Sequence, residues 1–366
     1  MNSRERVLKA FKRLPGLPDR VPLQFDLCRQ LSEHFGKKLG VPVRFTDNLY
    51  EDVTYRISAN ELRTAMGSDV VITGASVSDN YTIRKEADGT WLNEYKMRMR
   101  QGDIYVEVMD YPLANAQTKA DIDAFSFPDP KALGRFRDAE DLVKKYHDEY
   151  LVFGDIEVTV FSLGHQLAGM EKLLVDMMLD AEYIDPLFEA CAEFQTQIGL
   201  QLIDRGVDAI WFGDDFGTQT SLILHPETFR QKLKPHYKRM VDRFKAIKPD
   251  IIPILHCDGA VAELLDDIRE IGFEVFNPVQ PGVPGHLPQD MKRRFGGLFS
   301  FWGAIDQQVL LPNGSDQELE ADIIEKINIL GKEGGYMIAP AHIIQNDVSP
   351  ERVEKFISLC IQHGEY

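Results

Sequence analysis

The sequence predicts an α/β fold, an eight-stranded (β/α)8 TIM barrel, from three observations. Short apolar runs alternate with amphipathic helical stretches from residue 150 onward. Together with two earlier runs they make eight candidate strands, which close a barrel more readily than they fill an open sheet. Polar, titratable or metal-ligating residues stand at the ends of most runs, where barrel enzymes carry their chemistry.

The elements follow in order. Residues 1–14 form an amphipathic helix with Val7, Leu8 and Phe11 on one side. It has no apolar core of the kind a secretion signal needs. Strand one is 21–25 and strand two is 69–73. Strands three to eight are 151–153, 209–212, 251–255, 274–276, 298–302 and 336–339. The intervening helices cover 170–178, 186–204, 226–247, 261–271 and 316–330. Buried apolar strands separated by helices imply βαβ units and a parallel sheet. Residues 81–109 break the pattern. They tend to alternate apolar and polar, with turn signals at 87–89 and 101–103, so 75–112 reads as a β-meander inserted after strand two. Residues 110–135, with Pro112, Pro128 and Pro130, read as a linking loop. No second-domain boundary is visible, and 1–366 is expected to be a single barrel domain.

Composition narrows the function. Of 366 residues, 44% are hydrophobic and 27% charged, enough for a large core. The net charge is −17 and the basic stretches 232–239 and 292–294 are short, which disfavours nucleic-acid binding. Cys28, Cys191, Cys257 and Cys360 form no CxxC pair and read as reduced thiols. No apolar run reaches the ~20 residues that span a bilayer. The expectation is a soluble, cytoplasmic protein.

The strand ends supply the candidate site. Asp26 ends strand one. Asp155, with Glu157 beyond it, ends strand three, and Asp214 with Asp215 ends strand four. His256, Cys257 and Asp258 end strand five. Asn277 and Gln280 follow strand six, Trp302 ends strand seven with Asp306 following, and His342 follows strand eight. Alternate strand residues face one side, so His256 and Asp258 converge while Cys257 points away, unless the turn at Gly259 brings Cys257 in. An imidazole and a carboxylate two residues apart can hold Zn2+ or another divalent ion, with His342 as a third ligand. The alternative is a hydrogen-bonded His256 at a pocket wall, or a general acid or base without metal. Asp214 and Asp215 read either as catalytic carboxylates or as a helix cap. Trp302 reads either as pocket wall or as core. His165, His225 and His236 read as structural.

Several stretches resemble the uroporphyrinogen decarboxylase superfamily: FGDDFGTQ (212–219), HPETFRQKLKPHYKR (225–239), HCDG (256–259), NPVQPG (277–282), FWGAID (301–306) and GGYMIAPAHIIQNDVSPERV (334–353), with DYPLANAQT (110–118) also fitting. The resemblance covers most of the chain and implies one of two activities. True uroporphyrinogen decarboxylases act without metal and grip a polycarboxylate tetrapyrrole with an MRQAGR-type motif. Here that region is LCRQLS (27–32), which keeps Arg29 and lacks the second arginine.

The other branch is similar to cobalamin-dependent methyltransferases. Those that act on coenzyme M hold zinc with a His-x-Cys pair and a later Cys. By that resemblance His256 keeps the His, Asp258 stands for the first Cys and His342 for the second, a harder ligand set that disfavours a thiol substrate. The resemblance thus implies methyl transfer between a small substrate and a corrinoid, assisted by a divalent metal, zinc by the family pattern. Asp214, Asp215 or Glu157 would act in catalysis. Arg29, Asp26, Gln219, Asn277, Gln280, Trp302 and Asp306 would bind substrate. No D-x-H-x-x-G corrinoid motif occurs, so the cobalamin is expected on a separate partner protein. Rival readings are a carboxy-lyase acting on a tetrapyrrole and a non-catalytic corrinoid- or porphyrin-binding barrel. The family often forms homodimers.

Overall fold

A computed structural model describes residues 1–46, 55–102 and 106–366. Its strands are β1 (Val70–Gly74), β2 (Trp91–Leu92), β3 (Arg98–Gln101), β4 (Val106–Asp110), β5 (Leu151–Glu157), β6 (Ala209–Gly213), β7 (Ile252–His256), β8 (Val275–Val279), β9 (Ser300–Ile305) and β10 (Tyr336–Pro340). Seven of them form one parallel sheet in the order β1-β5-β6-β7-β8-β9-β10.

The eighth position of the barrel belongs to the run expected as strand one. It forms isolated bridges rather than a ladder strand. Pro22 has no N–H to donate, so its carbonyl only accepts, from Ile338 N–H at 2.9 Å, and Gln24 N–H then donates to Ile338 O at 3.0 Å. On the other side Leu23 O accepts from Asp69 N–H, and Leu23 N–H donates to the Asp69 carboxylate, each at 2.8 Å. The segment therefore ties β10 to the start of β1 and closes the ring.

Two apolar cores explain why the strands are buried on both faces. Val70, Ile72, Leu151, Phe153, Ala209, Trp211, Ile252, Ile254, Trp302, Met337 and Ala339 fill the barrel interior, and Val7 and Phe11 of the first helix pack with them. Their strand neighbours Val71, Val152, Ile210, Phe212, Leu255, Phe301 and Ile338 pack outward against the helices. The period of two sets the direction of each strand-end side chain. Asp155, Glu157, Gly213 and His256 continue the inward register. Phe25 and Leu27 belong to the outer core, so Asp26 points inward.

The meander is a three-stranded antiparallel sheet, β2-β3-β4, lying between β1 and β5 in the chain. Tyr95 anchors it beside the barrel by meeting Phe194 of the outer helix Ile184–Asp204 at 5.5 Å. The β2–β3 turn sits at 93–96, with Lys96 at φ +64°, and carries no glycine to announce it. The signal at 87–89 is a separate turn before β2, and the one at 101–103 runs into residues outside the described set. Residues 110–135 are not all loop, because Lys119–Asp123 is helical behind a Thr118–Asp121 capping box.

Candidate metal centre

His256 ends β7 and faces the interior through its inward register. Its Nδ1 lies 2.6 Å from Asn277 Oδ1 on β8. An amide oxygen only accepts, so Nδ1 carries the proton and the Nε2 lone pair is left for the mouth, the usual outer support of a ligating imidazole. Asp258 returns to the same side two residues on. The turn that follows depends on Gly259, at φ +86°, where an added Cβ would stand 2.4 Å from Gly217. Gly259 N–H donates to Gln280 Oε1 at 2.7 Å, Gln280 in turn to Gln219 at 3.0 Å, and Asp258 N–H to Asp215 Oδ1 at 2.8 Å. His342 follows β10 on a loop fixed at both ends, where Ala341 N–H donates to Ile305 O and Ile344 N–H to Asp26 O, both at 2.9 Å.

These three residues meet. Asp258 Oδ2 lies 3.9 Å from His256 Nε2 and 3.9 Å from His342 Nε2, and all three ligand atoms fall within 4.8 Å of one another. Those gaps are too long for hydrogen bonds. Two donors each bonded to a tetrahedral ion would stand about 3.4 Å apart, so the cluster becomes a ligand set when the two 3.9 Å gaps close by about half an ångström and the His256–His342 separation, at most 4.8 Å, closes with them. Burial and the neighbouring Arg56 hold His342 below the usual imidazole range, which keeps its lone pair free. Two imidazoles and one carboxylate suit a borderline divalent ion such as Zn2+, with a coordination position left open. Asn277→Ala should weaken metal binding about 10- to 100-fold while the fold survives. Competition with a chromophoric chelator measures this, and unchanged affinity would show that Asn277 does not orient His256.

A buried arginine web lies beside the triad, and sequence reasoning missed it. Arg56 stacks over Trp211 at 3.9 Å, bonds Glu157, and lies 3.7 Å from Asp155 and 3.6 Å from Asp26. Arg63 bonds Asp26 and holds Ser58 O at 3.1 Å and Asn60 Oδ1 at 2.9 Å. Burial pushes Glu157 up, but Arg56, His256 and His342 outweigh it and hold the carboxyl below its usual range. Asp155 goes the other way. Burial outweighs Arg56 and raises it to about 7.

This shift predicts a pH dependence. The folded chain keeps a proton on Asp155 that the unfolded chain has lost above its ordinary value of 3.8. The contribution is full below that value and is lost as pH rises through about 7. Asp155→Asn should flatten stability against pH between these limits in urea melts at a pH series. Parallel curves for the two proteins would reject the assignment.

The remaining expected residues divide clearly. Glu157, Asp26 and Asp215 reach the mouth, the first two held by the arginines. Asn277, Gln280 and Gln219 support the His256–Gly259 turn from behind. Asp214 is a correction to a catalytic reading. It accepts from the N–H groups of Val160 at 2.7 Å and Phe161 at 3.3 Å, and also from Ser162 N–H and Tyr237 OH, so it caps helix Phe161–Ala168. Burial raises its carboxyl to about 6 against those bonds. Cys257 is a second correction. It belongs to the outer core, its Sγ accepts from Phe216 N–H at 3.3 Å, and burial holds the thiol far up, so it is not brought to the triad. Trp302 is interior packing, 4.2 Å from Trp211 and bonded to Gln24 at 3.2 Å. Asp306 closes its own turn by accepting from Gln308 at 2.8 Å and Val309 at 3.1 Å. Arg29 lies over Phe45 at 4.1 Å, half-exposed beside Glu33.

The fold and this cluster define a parallel α/β barrel with a metal-competent group at its catalytic end. The sequence profile of uroporphyrinogen decarboxylase (URO-D) matches residues 97–363, and the chain belongs to that family. It is 28% identical over 198 residues to uroporphyrinogen decarboxylases from two strains of Thermus thermophilus, which is 54% of this chain and 48% of theirs. The match thus spans about half the length of these curated relatives. The fold is similar to that of a methyltransferase from Methanosarcina mazei, with a TM-score of 0.72, 16% identity and 99% of each chain covered. Family and fold neighbours alike are named as enzymes. No helix among the described residues is long and apolar enough to cross a membrane.

Proposed function

We propose that the chain is a corrinoid-dependent methyltransferase, moving a methyl group between a small substrate and a corrinoid carried by a partner protein. The observation that carries this reading is the convergence of His256, Asp258 and His342 at the barrel mouth. A decarboxylase that works by gripping acids has no use for such a ligand set. A bound divalent ion, zinc by its donor set, would polarise the substrate heteroatom as a Lewis acid. Asn277 orients His256 for that task. Glu157, ionised and pinned by Arg56, is placed to hold or accept the proton of the group that gains or loses methyl. Asp215 braces the Asp258 backbone and adds negative charge. The chain 1–366 would work as one barrel unit in the cytoplasm.

The second reading is decarboxylation of a tetrapyrrole, favoured by the family and by the names of the curated relatives. Against it, Arg29 is stacked on Phe45 and both mouth arginines are already held by carboxylates. One experiment separates the two. Zinc-loaded protein is incubated with free methylcobalamin or its reduced form and a panel of methyl acceptors and donors, and the corrin absorbance is followed. Parallel samples receive uroporphyrinogen. A corrin change that depends on protein and substrate supports methyl transfer. Uroporphyrinogen turnover without any corrin change rejects it.

A further inference from the structure

We infer that the mouth selects by charge: it takes a cationic methyl compound best, a neutral one next, and excludes anions. The inference rests on the methyl-transfer reading only for calling the ligand a methyl carrier.

Carboxylates outnumber guanidinium groups at the mouth. Asp26, Glu157, Asp215 and Asp258 face Arg56 and Arg63, and Asp155, which keeps a proton up to about 7, adds a fifth charge only above that. Arg56 bonds Glu157 and Arg63 bonds Asp26, with Asp155 close by, and the Nε of each arginine, though left without a hydrogen-bond partner, is buried away from an entering ligand. A site that recognises a carboxylate, sulfonate or phosphate keeps an arginine fork free for it. Arg29 does not fill that role, because its guanidinium is turned onto Phe45. The segments 47–54 and 103–105 contain neither Lys nor Arg. A divalent ion on the triad would bring the mouth close to balance without making it attractive to anions.

The negative groups are built in. Glu157 is 28% exposed, and its stem passes where residue 213 would carry a side chain: a Cβ on Gly213 would stand 2.6 Å from Glu157 Cγ. The barrel therefore leaves a gap for this carboxylate. Asp258, 31% exposed, shares its backbone N–H with Asp215. Asp215 Oδ1 takes that N–H at 2.8 Å, which sets a second carboxylate directly beside the triad. A cation entering there is drawn to both carboxylates, and an anion is repelled by them.

The test uses three compact probes, tetramethylammonium, neopentyl alcohol and methanesulfonate, titrated by calorimetry into the full chain. Metal-free protein is used so that no ion can coordinate the anion, and zinc-loaded protein alongside it. Tetramethylammonium should bind at least about tenfold more tightly than methanesulfonate in the metal-free form, with a smaller preference in the zinc-loaded form, and added salt should weaken it. Glu157→Gln and Asp215→Asn should each lower its affinity about threefold or more while zinc still binds. Methanesulfonate binding as tightly as the cation, saturable binding of none of the three, or insensitivity to both substitutions would overturn the inference. Cation preference without methyl transfer would reject the enzyme reading alone. Methyl transfer with anion preference would reject the charge selection alone.

Discussion

Alanine in place of His256 or His342 should lower zinc affinity by more than about 100-fold, beyond the 10- to 100-fold expected of a supporting residue such as Asn277. The reason is geometric. Asp258 Oδ2 is equidistant, at 3.9 Å, from the two imidazole nitrogens, so each imidazole supplies one donor around the same carboxylate oxygen. With one removed, an imidazole and a carboxylate remain, and two donors leave an ion mostly to water. A hundredfold loss corresponds to about 2.7 kcal/mol. Cys257→Ser is the matched control and should leave zinc stoichiometry unchanged, because the thiol lies on the outer side against Phe216. Metal analysis after dialysis, followed by chelator competition, reads all three variants. Full zinc content in both alanine variants would move the metal elsewhere or remove it from the protein's function.

The same period-two argument shows what the sequence could reveal and what it could not. The strands after residue 150 were legible because a parallel strand under helices is apolar on both faces, as 209–212 and 251–255 are. His256 and Asp258 were legible because alternation carries them inward past the end of β7. The rule would also have placed Asp214. Gly213 faces inward next to Glu157, so Asp214 must face the helices with Phe212, which is where it caps Phe161–Ala168. Two adjacent aspartates hide the fact that they point in opposite directions. Trp302 stands at the end of the expected strand, but β9 runs on to Ile305, so Trp302 is mid-strand and packs inside the barrel.

Arg56 and Arg63 were illegible for a different reason. They precede β1, and a search of strand ends looks only at residues that follow strands. Their role depends on partners on distant segments, Asp26, Asp155 and Glu157. The nearest clue in the sequence is a pair of arginines seven residues apart, which is two helical turns and no chemical signature. The Val21–Leu27 segment was readable as an apolar run, yet Pro22 reduces it to bridges, since register bonds need a donor at every second residue.

Arg56→Met should destabilise the protein by about 3 kcal/mol at pH 8, and by less in acid. The side chain is almost wholly buried and serves three carboxylates, so methionine fills its volume but leaves Asp155 and Glu157 without a counter-charge. Asp26 keeps Arg63, and Glu157 is partly open to solvent, which holds the cost at the low end of what breaking a buried pair incurs. The pH sign follows from linkage. Loss of Arg56 removes the main influence lowering Glu157 and the largest one opposing the rise of Asp155, so both folded-state values go up. The folded variant then binds protons more strongly than the folded parent, and its stability falls more steeply as pH rises. The gap between the two proteins should therefore be widest at pH 8 and narrow towards pH 5, where both carboxyls can be protonated. Arg56→Lys should recover part of it, because an ammonium supplies charge but neither the planar group that reaches Glu157, Asp155 and Asp26 at once nor the flat stack on Trp211. Urea melts of the three proteins at pH 5, 6.5 and 8 decide the matter. A gap that does not change with pH, or one below about 1 kcal/mol at pH 8, would show that the carboxylates do not depend on this arginine.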